Sequence, residues 1–228
     1  MHNVGEVRRR ISINGGKFSE YINGKQDTVH EGALNIVILD AAKISRSYYA
    51  GEYDVNSPTR PTCWSADTNA PAPEVKQEDR QAHRCMDCPQ NIKGSGSGTS
   101  RACRFAQRLA VLLENDFTRV YQLQLPATSL FGKAKDGKMP MQAYAQYLSS
   151  HNTPAISVIT ECVFDRSSAV PKLFFKAVRP LAEDEVSLAV SKAESQETKD
   201  AITMAISTPS TGSIFAEVDG FVYDANAN

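Results

Sequence analysis

Apolar and polar residues alternate in short runs along most of the chain, which predicts β-strands. The run at 34–39 (LNIVIL) is almost wholly apolar and predicts a buried strand. The Asn23-Gly24 pair, which follows one such run, is a good hairpin signal. The strands predicted from these patterns cover 9–13, 17–22, 34–39, 43–49, 105–113, 119–125, 156–164 and 172–178.

Helical spacing of apolar residues occurs in the second half of the chain. Tyr144, Tyr147 and Leu148 stand at i, i+3 and i+4 and predict a short helix over 141–150. A longer helix is predicted over 183–206, where most of the apolar residues are small. Several short strands with one or two helices indicate a mainly β (α+β) protein, and we expect an OB-like Greek-key barrel or a sandwich.

Regular structure is hard to find at 54–101, where five prolines and the Gly94-Ser95-Gly96-Ser97-Gly98 run interrupt the pattern. An irregular stretch of this length inside a compact domain needs something to hold it. We therefore predict one β-rich domain over 1–206 that carries an insertion at about 54–104. Residues 207–228 are predicted to form an acidic and aromatic C-terminal tail.

Four of the five cysteines lie in or beside this insertion, at Cys63, Cys85, Cys88 and Cys103. Cys85 and Cys88 form a C-x-x-C pair, whose short turn lets two thiolates face one ion. Cys63 and Cys103 each lie next to a predicted strand end and could complete a tetrahedral site of four thiolates. Four soft ligands leave no open coordination position, so the pattern predicts a structural Zn²⁺ ion rather than a catalytic one.

Three alternatives to this zinc site stay open at the level of the sequence. His83, two residues before Cys85, could replace one cysteine as a ligand. An iron–sulfur cluster also takes four cysteines, and the four thiols could instead be unrelated buried residues. Cys162 lies in an apolar strand and is interpreted as a core residue.

Charge is unevenly distributed, although the formal net charge of the 228-residue chain is only −1. Residues 84–108 contain five bases and one acid, whereas residues 182–228 contain nine acids and two bases. The near-neutral total argues against a uniformly basic, histone-like binder but leaves room for a local basic groove. Both segments could also be simple solvated surfaces.

Bases and aromatic residues occur together around the cysteines, a combination that can follow a phosphate backbone and stack exposed bases. If a strand runs through 105–113, Arg104 and Arg108 share one of its faces. In the alternative reading, the aromatic rings pack against the metal-bearing loop and the arginines are only solvated. The residues predicted to contact nucleic acid are Arg84, Lys93, Arg101, Arg104, Arg108, Tyr48, Tyr49, Trp64 and Phe105.

Familiar catalytic motifs are missing from the sequence. It contains no G-x-x-x-x-G-K-[ST], G-x-S-x-G or H-E-x-x-H pattern, and none of its four histidines has a convincing partner. We therefore expect a protein that is not an enzyme. A nuclease that uses only carboxylates is the enzymatic alternative.

The distribution of apolar residues also bears on location. No apolar run approaches the roughly 20 residues that span a bilayer, and the charged start lacks the apolar segment of a signal peptide. We expect a cytoplasmic protein without a membrane partner, in which clustered thiols bind metal rather than form disulfides. If the protein is phage-encoded, this is the cytoplasm of the host cell.

Four segments of the chain are distinctive when they are read together. They are Tyr49-Ala50-Gly51-Glu52-Tyr53-Asp54, Pro61-Thr62-Cys63-Trp64-Ser65, Cys85-Met86-Asp87-Cys88-Pro89-Gln90-Asn91 and Arg101-Ala102-Cys103-Arg104. They resemble a group of tailed-phage proteins associated with replication genes. The chain is also similar to the T-even-type phage single-stranded-DNA-binding proteins, in which a barrel carries a zinc-holding insertion. Those proteins use one histidine and three cysteines at other spacings, so this second resemblance concerns architecture alone.

These observations predict a single-stranded-DNA-binding protein of phage replication or recombination, with a basic aromatic surface and a structural zinc. The main alternative is a zinc-stabilised adaptor that binds replication or transcription proteins and has no enzymatic activity. The first hypothesis predicts that salt strongly weakens binding. In both, the acidic tail is a candidate contact for partner proteins.

Overall fold

The computed structural model describes residues 8–51 and 60–204. They cluster into two compact units. The sheet unit consists of the described residues of Met1–Ala41 and Arg108–Thr203, and the cysteine unit consists of those of Ala42–Gln107 together with Met204. The described part of the predicted insertion at 54–104 belongs to the cysteine unit, and the predicted tail at 207–228 lies outside the described residues.

The described residues are mainly β, as the alternating pattern predicts. The strands are β1 Arg9–Ser12, β2 Phe18–Ile22, β3 Lys25–His30, β4 Ala33–Ala41, β5 Ser45–Tyr48, β6 Cys63–Ser65, β7 Arg104–Leu113, β8 Asp116–Pro126, β9 Val158–Phe164 and β10 Leu173–Pro180. The helices are α1 Ala127–Leu130, α2 Met141–Ser150, α3 Glu183–Ala193 and α4 Gln196–Ile202. The predicted helix over 141–150 is confirmed with the same bounds.

The Asn23-Gly24 hairpin is also confirmed. Ile22 and Lys25 are paired directly across the turn from β2 to β3. Asn23 and Gly24 both have positive φ, 50° and 80°, which a two-residue turn of the type I′ kind requires. Asn and Gly tolerate this backbone conformation better than other residues, so the pair fixes the register of the two strands.

The sheet unit is built on a curled mixed sheet with the strand order β10-β9-β4-β7-β8-β1-β2-β3. Five neighbouring pairs run antiparallel: β10 with β9, β9 with β4, β4 with β7, β1 with β2, and β2 with β3. The pair of β1 with β8 is parallel, with Arg10 opposite Gln122. This contact joins residues more than a hundred positions apart, so it was not readable from local alternation.

One apolar cluster of the sheet unit lies between the sheet and the helices α3 and α4. Val37 and Leu39 on β4 point to one face because side chains alternate along a strand. Val186, Ala189 and Ile202 from α3 and α4 pack against that face. The buried members of this cluster are Val37, Leu39, Ala110, Leu112, Val120, Ile159, Leu181 and Ala189.

The single helix predicted over 183–206 is wrong in its continuity. The chain forms two helices that are separated at Glu194 and Ser195. The Ser195 hydroxyl accepts a hydrogen bond from the backbone N–H of Thr198 and so caps the start of α4. A side-chain cap replaces the backbone hydrogen bond that a continuous helix would make at this point. Residues 205 and 206 lie outside the described residues.

The cysteine unit contains little regular structure. β5 pairs with β6 on one side and with the first residues of β7 on the other, both antiparallel. From Ala66 to Cys103 the chain forms only short 3-10 turns. The apolar cluster of this unit is small and has Cys63, Trp64 and Val75 as its buried members.

Candidate metal centre and nucleic-acid interface

Strand pairing brings two of the four candidate cysteines to the same end of the small sheet in the cysteine unit. Cys63, the first residue of β6, is opposite Tyr48 of β5. Arg104, the first residue of β7, is paired with Ser47, so Cys103 precedes β7 at the level of Tyr48. The two cysteines therefore flank one residue of β5, although 39 residues separate them in the sequence.

The other two cysteines are held by a tight local turn, here called the knuckle (Cys85–Cys88). Its first three residues form a 3-10 turn, and the backbone N–H of Cys88 donates to the carbonyl of Cys85 at 3.4 Å. The backbone N–H of Cys85 donates to the carbonyl of Asn69 at 2.9 Å. Cys103 is linked to the same region because its N–H donates to the carbonyl of Gln90 at 2.8 Å.

All four of these cysteines line a single small cavity in the cysteine unit. The cavity has a volume of about 20 Å³, which is room for one water-sized particle. The four residues are between 8% and 9% exposed, and none of their thiols is in a disulfide. Four cysteine sulfurs are a donor set that a structural zinc ion takes, and a cavity of this volume has room for one ion.

The side chains do not yet form a coordination sphere as they stand. Among residues 8–51 and 60–204, no group of three or more His, Cys, Asp or Glu side chains is positioned to hold a metal ion. The prediction of Zn²⁺ stays a prediction at this point.

The pKa values of three of these four thiols are raised above their ordinary value. Burial raises the pKa of Cys63 and Cys85 and raises the pKa of Cys103 to about 12. Repulsion from the neighbouring thiolates of the cluster raises these three pKa values further. A divalent cation in the cavity would reverse this effect, because it stabilises thiolates over thiols.

The remaining residues considered for the site lie elsewhere. His83 is exposed and is not among the residues that line the cavity, so its side chain does not compete with the cysteines in this arrangement. Cys162 is fully buried on β9 in the sheet unit, opposite Phe175. Its interpretation as a core residue is confirmed.

The exposed bases of the predicted nucleic-acid interface lie on the segments that carry the cysteines. Arg84, Lys93, Arg101 and Arg104 are all exposed. Arg84 forms an ion pair with Asp87 within the knuckle, at 3.2 Å between Nε and Oδ2. The Nε of Arg101 donates to the carbonyl of Asn91 at 2.7 Å, which leaves the two terminal nitrogens for other partners.

Two of the residues predicted to contact nucleic acid are buried, so fewer side chains are accessible for the predicted interface. Trp64 is 6% exposed and packs in the small apolar cluster of the cysteine unit. Arg108 is 4% exposed and begins a run of six consecutive buried residues that continues to Leu113. Both faces of β7 are covered from Arg108 to Leu113, so the alternation of side chains along the strand does not place Arg108 on a solvent-facing side.

The aromatic residues of the predicted interface are also less accessible than expected. Tyr48, Tyr49 and Phe105 are half-buried. The guanidinium of Arg46 lies over the ring of Phe105 at 4.1 Å from its centroid, and the guanidinium of Arg60 lies over Trp64 at 4.4 Å. Cation–π stacking therefore already covers one face of each of these two rings.

The structure adds three residues that the sequence pattern did not single out. Met86 and Ile92 are large apolar side chains that are 66% and 63% exposed, beside Arg84 and Lys93. Met86 lies between the two knuckle cysteines, and a turn that directs both thiols inward directs the residues between them outward. Arg46 is buried and lines the cysteine cavity.

Comparison with protein-family models, curated proteins and solved structures gives no match in any of the three sets. The resemblance to tailed-phage proteins stays a prediction from the sequence. In the described part of the chain, no helix has the length and apolar character needed to cross a membrane.

Proposed function

We propose that this protein binds single-stranded DNA through exposed bases of the cysteine unit, whose loops are held in shape by one structural zinc ion. The observation that carries the proposal is the convergence of four buried cysteines on one ion-sized cavity, with exposed bases on the same segments. A role in phage replication or recombination, without enzymatic activity, is part of the proposal.

The binding surface in this proposal is narrower than the one the sequence indicates. Arg84, Lys93, Arg101 and Arg104 attract the phosphate backbone, since their side chains reach solvent. Stacking is assigned to the half-buried Tyr48 and Tyr49, because Trp64 is buried and an arginine covers one face of Phe105. We also include an OB-like architecture, with which the curled mixed sheet of the sheet unit is compatible.

Fluorescence anisotropy of a labelled oligothymidine, titrated with the zinc-loaded protein at low and high salt, tests this function. We expect tight binding at low salt that weakens steeply as salt rises, and much weaker binding of duplex DNA. Each lost phosphate contact lowers the slope of log K against log salt by about 0.7 for a single strand. For the triple variant Arg84→Gln/Lys93→Gln/Arg101→Gln, the magnitude of this slope should therefore fall by about 2, so that its binding depends less on salt.

The matched control is Lys17→Gln/Lys25→Gln/Lys176→Gln, which removes the same charge from exposed positions of the sheet unit. We expect it to bind oligothymidine with an unchanged salt slope. Equal losses in both triple variants would mean that net charge, rather than this surface, governs binding. Absence of binding by the wild type at low salt would overturn the proposal.

A second candidate function, a zinc-stabilised protein-interaction adaptor, is favoured by the exposure of Met86 and Ile92. Apolar side chains at the tip of a metal-stapled loop are suited to a protein partner, because burying them contributes favourable binding energy. The variant Met86→Ser/Ile92→Ser separates the two functions. Under the DNA-binding proposal it keeps the salt slope for oligothymidine, since it removes no charge.

A further inference from the structure

Arg46 on β5 is a buried cation beside the four cysteines. It is 8% exposed and lines the same cavity as Cys63, Cys85, Cys88 and Cys103. Its position is fixed by strand pairing, since it is opposite Phe105 on β7 and opposite Ser65 on β6. The guanidinium also stacks on the ring of Phe105, at 4.1 Å from the centroid.

The hydrogen bonding of Arg46 is incomplete. Nη1 donates to the carbonyl of Cys85 at 3.3 Å, and Nε, although buried, has no hydrogen-bond partner. No ion pair within residues 8–51 and 60–204 includes Arg46. A buried guanidinium without an anion is unfavourable, and buried charges in proteins are normally paired or bind metals.

The four cysteines supply the missing anion when they hold zinc. Four thiolates and one Zn²⁺ carry a formal net charge of −2, which the fold must stabilise away from water. A cation with a free N–H at the edge of the same cavity lowers the energy of that anion, and the anion in turn stabilises the buried cation. A neutral cluster of four thiols would leave the buried guanidinium unpaired.

We infer that Arg46 is the counter-charge of the metal centre: its buried guanidinium stabilises the anionic zinc-bound cluster and thereby increases the affinity for zinc. This inference rests on the metal centre proposed above. Arg46 is a positioning and charge-compensating residue that does not contact the metal itself. The Arg46 guanidinium and the cysteine thiolates therefore depend on each other for a favourable buried environment.

The experiment measures zinc affinity by competition with a chromophoric chelator at one fixed pH. Substitutions of groups that surround metal ligands typically lower affinity 10- to 100-fold, and we expect a loss of about this size for Arg46→Met. Arg46→Lys keeps the positive charge and should recover a large part of the affinity. Cobalt substituted for zinc should show the charge-transfer absorption of four thiolate ligands in the wild type and weaker absorption in Arg46→Met.

Two control variants separate charge from packing. Arg60→Met removes a guanidinium that also stacks on an aromatic ring and donates to a backbone carbonyl of the same unit, but does not line the cavity. Val75→Ala removes buried apolar packing next to Cys63 without a change of charge. We expect both controls to keep zinc affinity within about twofold of the wild type, well short of the tenfold loss typical of groups around metal ligands.

The outcomes separate this inference from the proposal on which it depends. A wild-type protein purified without zinc, and unable to bind it, overturns the metal centre and the role of Arg46 with it. Zinc bound equally well by the wild type and by Arg46→Met overturns the role of Arg46 alone. The same holds if Arg46→Lys is as weak as Arg46→Met, or if Val75→Ala loses as much affinity.

Discussion

The sheet unit and the cysteine unit belong to one chain but are stabilised in different ways. The sheet unit has long strand ladders and many fully buried large side chains, among them Tyr121, Tyr144 and Phe175. The cysteine unit has three short strand segments and a small apolar cluster around Trp64 and Val75. Among the described residues, burial of large apolar side chains is therefore extensive in the first unit and slight in the second.

Polar links take the place of a core in the cysteine unit. Backbone groups there are fixed by local turns and by side chains, such as Asn91 Nδ2 donating to the carbonyl of Cys85 at 3.2 Å and Gln90 Nε2 donating to Gln81 Oε1 at 3.2 Å. Single hydrogen bonds contribute about 1 kcal/mol each, so they do not order a loop of this length alone. If the proposed metal centre forms, the four cysteines and their ion supply the stabilisation that a larger apolar core would otherwise give to the second unit.

Metal removal should have the largest effect, and it should destabilise the cysteine unit without destabilising the sheet unit. Structural zinc in small domains contributes on the order of 10 kcal/mol at neutral pH. We expect chelation, or Cys85→Ala, to increase amide hydrogen exchange between β6 and β7 while the sheet unit stays protected. Cys162→Ala is the matched control, because it removes a buried thiol from the sheet unit, and it should keep the bound zinc.

An equal increase of exchange throughout the sheet unit after chelation would contradict the separate origin of stability in the two units. Unchanged exchange in both units would show that the metal does not contribute to the fold at all.

Loss of core packing should have the next largest effect, and this effect should be confined to the sheet unit. Leu112→Ala removes a fully buried side chain from the apolar cluster that α3 and α4 cover. We expect the free energy of unfolding of the sheet unit to fall by about 2–5 kcal/mol, as measured by denaturant titration. Leu188→Ala, at a position that is 52% exposed on α3, should change it by less than about 0.5 kcal/mol. A matching loss of zinc in Leu112→Ala would mean that the units are not independent.

The cap of α4 offers a smaller perturbation of the sheet unit. Ser195→Ala removes the hydroxyl that accepts from the Thr198 N–H, so we expect a loss of about 1 kcal/mol in unfolding free energy. The control is Ser187→Ala in the middle of α3, where the hydroxyl donates to the carbonyl of Glu183 at 3.0 Å. Alanine is the better helix former there, and this change should not destabilise the unit. Equal destabilisation by both variants would show that the cap is not the cause.

The smallest effect is expected at the partly exposed ion pair of Arg179 and Glu185, and it depends on pH. Hydrogen bonds from Arg179 and from the Ala182 N–H lower the pKa of Glu185 from its ordinary value of 4.5 to about 2. Because the pKa is lowered in the folded protein, the pair stabilises the sheet unit above pH 4.5 and the stabilisation is lost as the pH falls toward 2. Denaturant titrations across this range should show a shallower pH dependence for Glu185→Gln than for Glu183→Gln. Parallel pH profiles for the two variants would rule out this contribution.

Local patterns were sufficient to predict most of the strands, the Asn23-Gly24 hairpin and the helix at 141–150, because these depend on neighbours in the sequence. The parallel pairing of β1 with β8 depends on distant residues, and no local pattern encodes it. The division of the helix at Ser195 was missed because serine is tolerated inside helices as well as at their starts.

The four cysteines of the candidate site could be singled out from the sequence, whereas the burial of the residues around them could not. Spacing and residue type pointed to the four cysteines, and the structure places all four around one cavity. The burial of Trp64 and Arg108 was not predictable, since it depends on which strands and loops cover them. Arg46 was missed because it lies in a polar strand, where nothing in the sequence marks it as buried.

The strand register around Tyr48 has a consequence for the order in which the cysteine unit folds. Pairing of β5 with β6 and β7 closes the long loop between Cys63 and Cys103 before any ion is needed. The entropy of closing such a loop rises only slowly with its length, and the strand hydrogen bonds offset it. In the proposed metal centre, the ion then joins a strand half, which carries Cys63 and Cys103, to the knuckle half. If the proposed metal centre forms, we expect zinc capture to be a local step whose rate depends little on how fast the sheet unit folds.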